Sequence, residues 1–97
     1  ADFYMPDVQR IGGVTGWLRA ASLAQANALD LSSHLFPEIS CHLLSASPTR
    51  HWLEYMDWGA CVVQEPIQIV DGLAITPNRP GIGISWDERA VQQYLVT

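Results

Sequence analysis

Met5-Pro6-Asp7, Ile11-Gly12-Gly13-Val14-Thr15-Gly16-Trp17, Ser32-Ser33-His34 and His51-Trp52-Leu53-Glu54 belong to one stretch, and its reading decides the fold. Each acidic or imidazole residue follows a short apolar or aromatic run, and a helical segment separates each from the next. In a β/α chain that layout puts Asp7, His34 and Glu54 at the C-terminal ends of successive parallel strands. A closed barrel of such units gathers those ends round one mouth, where chemistry is found. An acid, an imidazole and a second acid arriving together form a candidate proton-transfer group.

The elements around this stretch follow in order. Phe3 to Met5 is a short strand stopped by Pro6, and Gly12-Gly13 give the turn after Asp7 its backbone freedom. Thr15 is a fair N-cap for a helix to Ala28, with Trp17, Ala20, Ala21, Ala24 and Ala28 on one face. Leu29 to Ser33 is the next strand, ending on His34. Pro37 suits the first turn of a second helix, with Glu38 near its positive end. Ile39, Leu43 and Ala46 mark that helix's buried stripe, and it should stop before Pro48. His51 to Glu54 is a third strand. Alternation of this kind means a parallel sheet with crossover helices.

After Glu54 the style changes. Asp57 to Cys61 reads as a short helical turn. Ile67–Val70 and Leu73–Ile75 flank Asp71-Gly72, a strong hairpin signal. Pro77 to Gly83 is a loop, and Ser85-Trp86-Asp87-Glu88 has the spacing of a capping box for a last helix through Tyr94 or Leu95. The expected division is residues 1–57 as the last three strands of a partial (β/α) barrel. Residues 58–97 are then a hairpin, loop and helix that pack on the barrel or on a neighbouring domain.

Composition bounds the function. The chain has 97 residues, a formal charge of −5 and 48% hydrophobic residues, enough to bury a core. It contains no lysine, and its arginines at 10, 19, 50, 79 and 89 are scattered, which argues against a nucleic-acid or anionic-membrane partner. No apolar run approaches the roughly 20 residues of a membrane helix. Cys41 and Cys61 lack the close pairing of a zinc site; they read as two reduced thiols in a cytoplasmic protein, with a disulfide between them as the alternative. A complete barrel needs about 250 residues. The abrupt start inside a strand therefore reads as the end of something larger.

The motifs resemble the C-terminal part of mandelate racemase and its relatives in the enolase superfamily. The likeness rests on Met5-Pro6-Asp7 with Arg10 to Trp17, Ser32-Ser33-His34-Leu35-Phe36, Pro48-Thr49 with His51-Trp52-Leu53-Glu54, and Pro80-Gly81-Ile82-Gly83-Ile84. The resemblance implies the sixth, seventh and eighth strands of a TIM-type barrel, then a return segment to an N-terminal capping domain. It also implies roles. His34 would be the general base or acid on one face of the substrate. Asp7 would orient its ring and stabilise the imidazolium, and Glu54 would donate a hydrogen bond to a substrate carboxylate oxygen. Removing a proton α to a carboxylate builds a dianion, so stabilisation by charge-assisted hydrogen bonds and a metal is the natural means.

The departures count as much. The family binds Mg²⁺ through three carboxylates on earlier strands and has a lysine base for the opposite face. Neither is in this chain, so the resemblance implies Mg²⁺ bound by other parts of the enzyme and no metal ligand here. The expected function is a segment of a Mg²⁺-dependent, racemase-like enzyme acting on a small hydroxy-carboxylate. The alternatives are an acid-sugar dehydratase of the same superfamily, and a catalytically incomplete fragment that needs a complementing chain. A homo-oligomer is expected, with the rest of the barrel and the capping domain supplied by other polypeptide.

Blander readings stand beside these. Taken singly, Asp7 is a turn residue and His34 a satisfied core histidine. His42 and His51 read as structural, Arg10 as a neutralising charge, and the tryptophans at 17, 52, 58 and 86 as core or interface anchors. Gly12-Gly13 lacks the lysine and spacing of a phosphate loop.

Overall fold

The computed structural model describes all 97 residues. Its elements run β1 (Phe3–Tyr4), α1 (Gly13–Ala26), β2 (Asp30–Leu31), α2 (Pro37–Ser45), a 3-10 turn (Ala60–Val62), β3 (Gln68–Val70), β4 (Leu73–Ile75) and α3 (Glu88–Gln93). β1 and β2 pair in parallel, with Phe3 opposite Asp30 and Tyr4 opposite Leu31. The pairing continues beyond the strands: the Ser32 amide donates to the Tyr4 carbonyl, the His34 amide to the Pro6 carbonyl, and Asp7 bridges His34 in parallel.

The third segment joins the other edge of β2, but not as the regular strand expected over His51–Glu54. The Leu31 amide donates to the Thr49 carbonyl and the His51 amide to the Leu31 carbonyl, which is a parallel bridge between Leu31 and Arg50. Continued regularly, that register would send the Ser33 amide to the His51 carbonyl. It goes instead to Trp52, one residue further on. The extra residue is a bulge, and a bulge ends regular pairing and re-aims the side chains beyond it. Serine side chains replace the lost ladder bonds: Ser32 Oγ accepts from the Trp52 amide at 3.2 Å and Ser33 Oγ from the Glu54 amide at 2.9 Å.

Helix α1 begins two residues before Thr15, which therefore lies inside the first turn rather than capping it. Gly12, at φ 88, precedes the helix and no side chain caps it. Gly16 admits no side chain, because a Cβ there would collide with the Ile11 carbonyl. At the far end Asn27 is the C-cap, and Ala28 lies beyond the helix at φ 51, exposed rather than on the buried stripe. The stripe of Trp17, Ala20, Ala21 and Ala24 is buried as its spacing requires. Small alanines let α1 lie close to the sheet, where Val8, Trp17, Ala21, Ala24, Leu31, Leu43 and Leu44 form the core. Trp17 is fully buried and its indole N–H donates to Ser47 Oγ at 3.0 Å, tying α1 to the end of α2. Helix α2 starts on Pro37 with Glu38 in its first turn. Of its expected stripe Leu43 is buried, Ile39 half-buried and Ala46 exposed as the C-cap.

The tail forms a separate sheet. β3 and β4 pair antiparallel across Asp71-Gly72, whose φ values of 49 and 77 are both positive. A two-residue turn with two positive φ angles fits the twist of a hairpin, and glycine takes the second one without strain. The helical turn is displaced to Ala60–Val62. The final helix is capped by Asp87 rather than Ser85, since the Asp87 carboxylate accepts from the amides of Arg89 and Ala90 at 3.0 and 3.1 Å. An aspartate two residues downstream offers a charged acceptor to the helix's positive end, which a serine hydroxyl does not match. An ion pair between Arg79 and Glu65 links the loop to the start of the hairpin. The tail rests on α2 through His42 Nε2 and the Ile82 carbonyl, 3.0 Å apart, and through Ser45 and Thr76.

Among the four tryptophans only Trp17 is a core anchor; Trp52, Trp58 and Trp86 are 68%, 68% and 56% exposed. The outer face of α1 likewise shows Val14, Leu18 and Leu23 to solvent. These faces are large and apolar and have no cover within this chain. No helix is long and apolar enough to cross a membrane.

Trp17→Phe should lower stability by about 1–3 kcal/mol, from the lost indole hydrogen bond and the unfilled volume. Urea unfolding of the two proteins measures it. The denaturant slope should be unchanged, because the surface exposed on unfolding is nearly the same.

Candidate active site

Asp7, His34 and Glu54 lie where the three parallel segments end. Asp7 follows β1 and is buried, and its carboxylate is divided between two tasks. Oδ1 accepts from the backbone amides of Gln9 and Arg10 at 2.8 and 3.4 Å, closing the turn on itself. Oδ2 faces His34 Nδ1 at 3.1 Å. The Arg10 guanidinium lies 3.7 Å from Oδ2, but that side chain is 86% exposed, so solvent screens most of its attraction. Desolvation pushes the Asp7 carboxyl upward. The hydrogen bonds from His34 and from the amides of Gln9 and Arg10, with the field of the imidazole, outweigh it and hold the carboxyl below its usual 3.8.

That carboxylate selects the imidazole's tautomer. An ionised aspartate only accepts, so Nδ1 carries the proton and Nε2 keeps the lone pair. His34 is 43% exposed at its side chain. Nε2 is thus the atom available to take a proton from a ligand, with a negative charge behind the ring to stabilise the imidazolium that results.

Glu54 is half-buried and held at both ends. Its amide donates to Ser33 Oγ at 2.9 Å, and its Oε2 accepts from the Leu35 amide at 2.7 Å. Leu35 directly follows His34, so the glutamate's carboxyl is tied to the same turn as the imidazole. With Oε2 taken as an acceptor, Oε1 is the oxygen that can carry a proton and donate it.

The turn itself is unusual. Leu35 and Phe36 take φ 55 and 47, two successive non-glycine residues in the left-handed region. Each costs roughly 1–2 kcal/mol and persists only where the surroundings over-determine it. Here Ser40 Oγ donates to the Leu35 carbonyl at 2.9 Å, and the amides of Ile39 and Ser40 donate to the Phe36 carbonyl. The sequence points to neither Ser33, Leu35 nor Ser40 as part of this arrangement. The available signal is small polar residues at positions the pattern buries.

Other groups fall outside the trio. His42 bonds the tail, and His51 stacks on Phe3 with ring centroids 5.8 Å apart; both are structural. Cys41 and Cys61 are free thiols, and burial pushes the Cys41 thiol up, which makes it a poor nucleophile. No three His, Cys, Asp or Glu side chains converge to hold a metal, so the residues present do not fit a Mg²⁺ site by themselves. The surface clefts are lined by Gln64, Pro66 and Arg79 in one case and by Arg50, His51 and Tyr55 in the other. Neither of these clefts is lined by Asp7, His34 or Glu54.

The depressed Asp7 carboxyl has a consequence for stability. Its contribution is fully present above the ordinary value of 3.8 and is lost as pH falls through the lower folded-state value. Asp7→Asn should therefore flatten the acid limb of the stability curve while leaving the protein folded near neutral pH. Urea midpoints across the acid range give the comparison, and an unchanged acid limb would remove Asp7 as its source.

Comparison with known proteins places the chain in a family. Residues 1–90 match the family model described as enolase C-terminal domain-like. An enolase structure from alpha pretobacterium bal199 with bound magnesium superposes at TM-score 0.95 and is 46% identical, covering 99% of this chain and 26% of that one. An enolase from Bradyrhizobium complexed with magnesium and mandelic acid gives TM-score 0.92 at 45% identity, again over 99% of this chain and 26% of that one. L-talarate/galactarate dehydratase of Salmonella typhimurium is 32% identical over 90 residues, 93% of this chain and 23% of the relative. The chain thus spans about a quarter of the length of the proteins it matches. It is an α/β chain that corresponds to the C-terminal part of a (β/α) barrel, and it belongs to the enolase C-terminal domain-like family, among mandelate racemase and its enolase-superfamily relatives.

Proposed function

We propose that this chain supplies the acid–base half of an enzyme that removes the α-proton of a small hydroxy-carboxylate. The observation that carries the reading is the Asp7–His34 pair, 3.1 Å apart, at the ends of adjacent parallel segments. In this reading residues 1–57 are the last three strands of the barrel, and residues 58–97 are the segment that packs on it and on the capping domain. The remaining strands lie outside these residues, and the uncovered apolar residues on α1 and on the hairpin support that.

The steps assigned to these residues are limited. The lone pair of His34 Nε2 takes the α-proton from one face of the substrate. Asp7 fixes the ring and balances the new imidazolium charge. Charge develops on the substrate carboxylate as the proton leaves, and Glu54 Oε1 is the oxygen assigned to donate a hydrogen bond to it there. The superposed structures hold Mg²⁺; in this reading carboxylates outside these residues would hold it, and it would stabilise the charge that develops on the substrate.

Racemisation is the leading outcome, and the mandelic acid in a structure 45% identical to this chain supports it. Dehydration of an acid sugar is the second reading, supported by the talarate/galactarate dehydratase at 32% identity. There the protonated His34 would return its proton to a departing hydroxyl. Both outcomes share the first proton transfer.

The test uses exchange of the substrate's α-proton with solvent, since one base suffices for it. In the complete enzyme, meaning these residues joined to the strands that precede them in the relatives, His34→Asn should lower exchange roughly 10²- to 10⁴-fold. Asp7→Asn should also lower it sharply with the fold intact. The isolated chain should show no exchange with or without Mg²⁺, and supplying the preceding strands should restore it. Metal-dependent exchange by the mass-verified chain alone would overturn the half-site reading. Undiminished exchange in His34→Asn would remove His34 as the base.

A further inference from the structure

We propose that Ser33 and Ser40 are positioning residues for Glu54, one fixing its main chain and the other its carboxyl. The inference rests on the reading of Glu54 as the hydrogen-bond donor and goes beyond it to what holds that donor in place. Both serines have 0% exposure, so their hydroxyls have no water to turn to.

Ser33 acts on the backbone. The bulge at His51-Trp52 breaks the ladder one residue before Glu54 would pair, and a main chain leaving a sheet there has no fixed course. Ser33 Oγ takes the Glu54 amide at 2.9 Å, while the Ser33 amide itself donates to the Trp52 carbonyl. One residue therefore clamps the segment on both sides of Leu53, just past the bulge.

Ser40 acts through the left-handed turn. The Leu35 amide can aim at Glu54 Oε2 because Leu35 and Phe36 are both held at positive φ. Free of restraint, those two residues would relax toward ordinary backbone angles and turn the amide away. Ser40 Oγ holds the Leu35 carbonyl and the Ser40 amide holds the Phe36 carbonyl, both at 2.9 Å. A helix residue thus locks the turn, the turn aims an amide, and the amide orients a carboxyl. Support of this kind, one step removed from the reacting atoms, commonly governs activity about 10- to 100-fold.

The experiment is a set of double-mutant cycles in the complete enzyme, read as kcat and KM for α-proton exchange, with thermal unfolding in parallel. Ser33→Ala and Ser40→Ala should each lower kcat about 10-fold with KM little changed, because the interaction they aim matters in the transition state. In a Glu54→Met background, where the side chain neither donates to substrate nor accepts from Leu35, the same substitutions should add almost nothing. Ser33→Cys and Ser40→Cys, which keep the volume but weaken the hydrogen bond, run as second variants against loss of folding. They should show the same dependence on Glu54. Equal losses in both backgrounds would make the serines merely structural and overturn the proposal while Glu54 keeps its role. An unchanged rate in Glu54→Met alone would instead remove the role of Glu54, and the proposal with it.

Discussion

The structure depends on Leu31 having a paired strand or segment on each side. Its strand meets β1 along one edge and the Thr49–His51 segment along the other, and its side chain is wholly buried beneath α1 and α2. That double pairing sets the register of three chain segments at once. Side chains alternate along a strand, so a slip of one residue would turn Asp7 or His34 away from its partner. The 3.1 Å contact between Asp7 and His34 is therefore a result of backbone pairing two and three residues earlier. The chemistry is positioned by rigid strand ends, and the side chains need little conformational adjustment of their own.

The site divides into a part that is stiff and a part that is braced. Asp7 closes its own turn with one oxygen and holds the imidazole with the other, so rotation of its carboxylate is resisted from both sides. Glu54 lies past a bulge, and what steadies it comes from side chains and from a strained turn instead of a ladder. The Asp7–His34 pair and Glu54 thus owe their geometry to different kinds of structure.

Much of this was legible in the sequence, and for identifiable reasons. The buried face of α1 repeats at helical spacing, Pro37 marks the start of α2, and Asp71-Gly72 specifies its turn through backbone angles that few residue pairs accept. The motifs around Asp7, His34 and Glu54 resemble a known family closely enough to assign roles as expectations. What the pattern hid was local competition. Thr15 looks like a cap, but the paired glycines before it had already turned the chain into a helix. Ser85 begins a good capping box, but Asp87 is the stronger acceptor. His51 to Glu54 has the composition of a strand, and nothing in composition announces one surplus residue between two ladders. The left-handed angles of Leu35 and Phe36 were also hidden, since neither residue prefers them and only the surrounding hydrogen bonds explain them.

The bulge has a consequence for how such a site can change over generations. A bulge is a single surplus residue, so losing one codon between His51 and Glu54 would let the ladder run on in regular register. Residues beyond the deletion would keep their places, because the Ser33 amide already bonds Trp52 and Glu54 already lies opposite Ser33. A substitution can alter only what stands at a position, whereas this deletion would alter how the position is held, letting the Glu54 amide join the ladder in place of its bond to Ser33 Oγ. The short segment between His51 and Glu54 is thus a place where one residue can be gained or lost while Glu54 stays beside Ser33. The core built on Leu31, Trp17 and the alanine stripe would be untouched by the change.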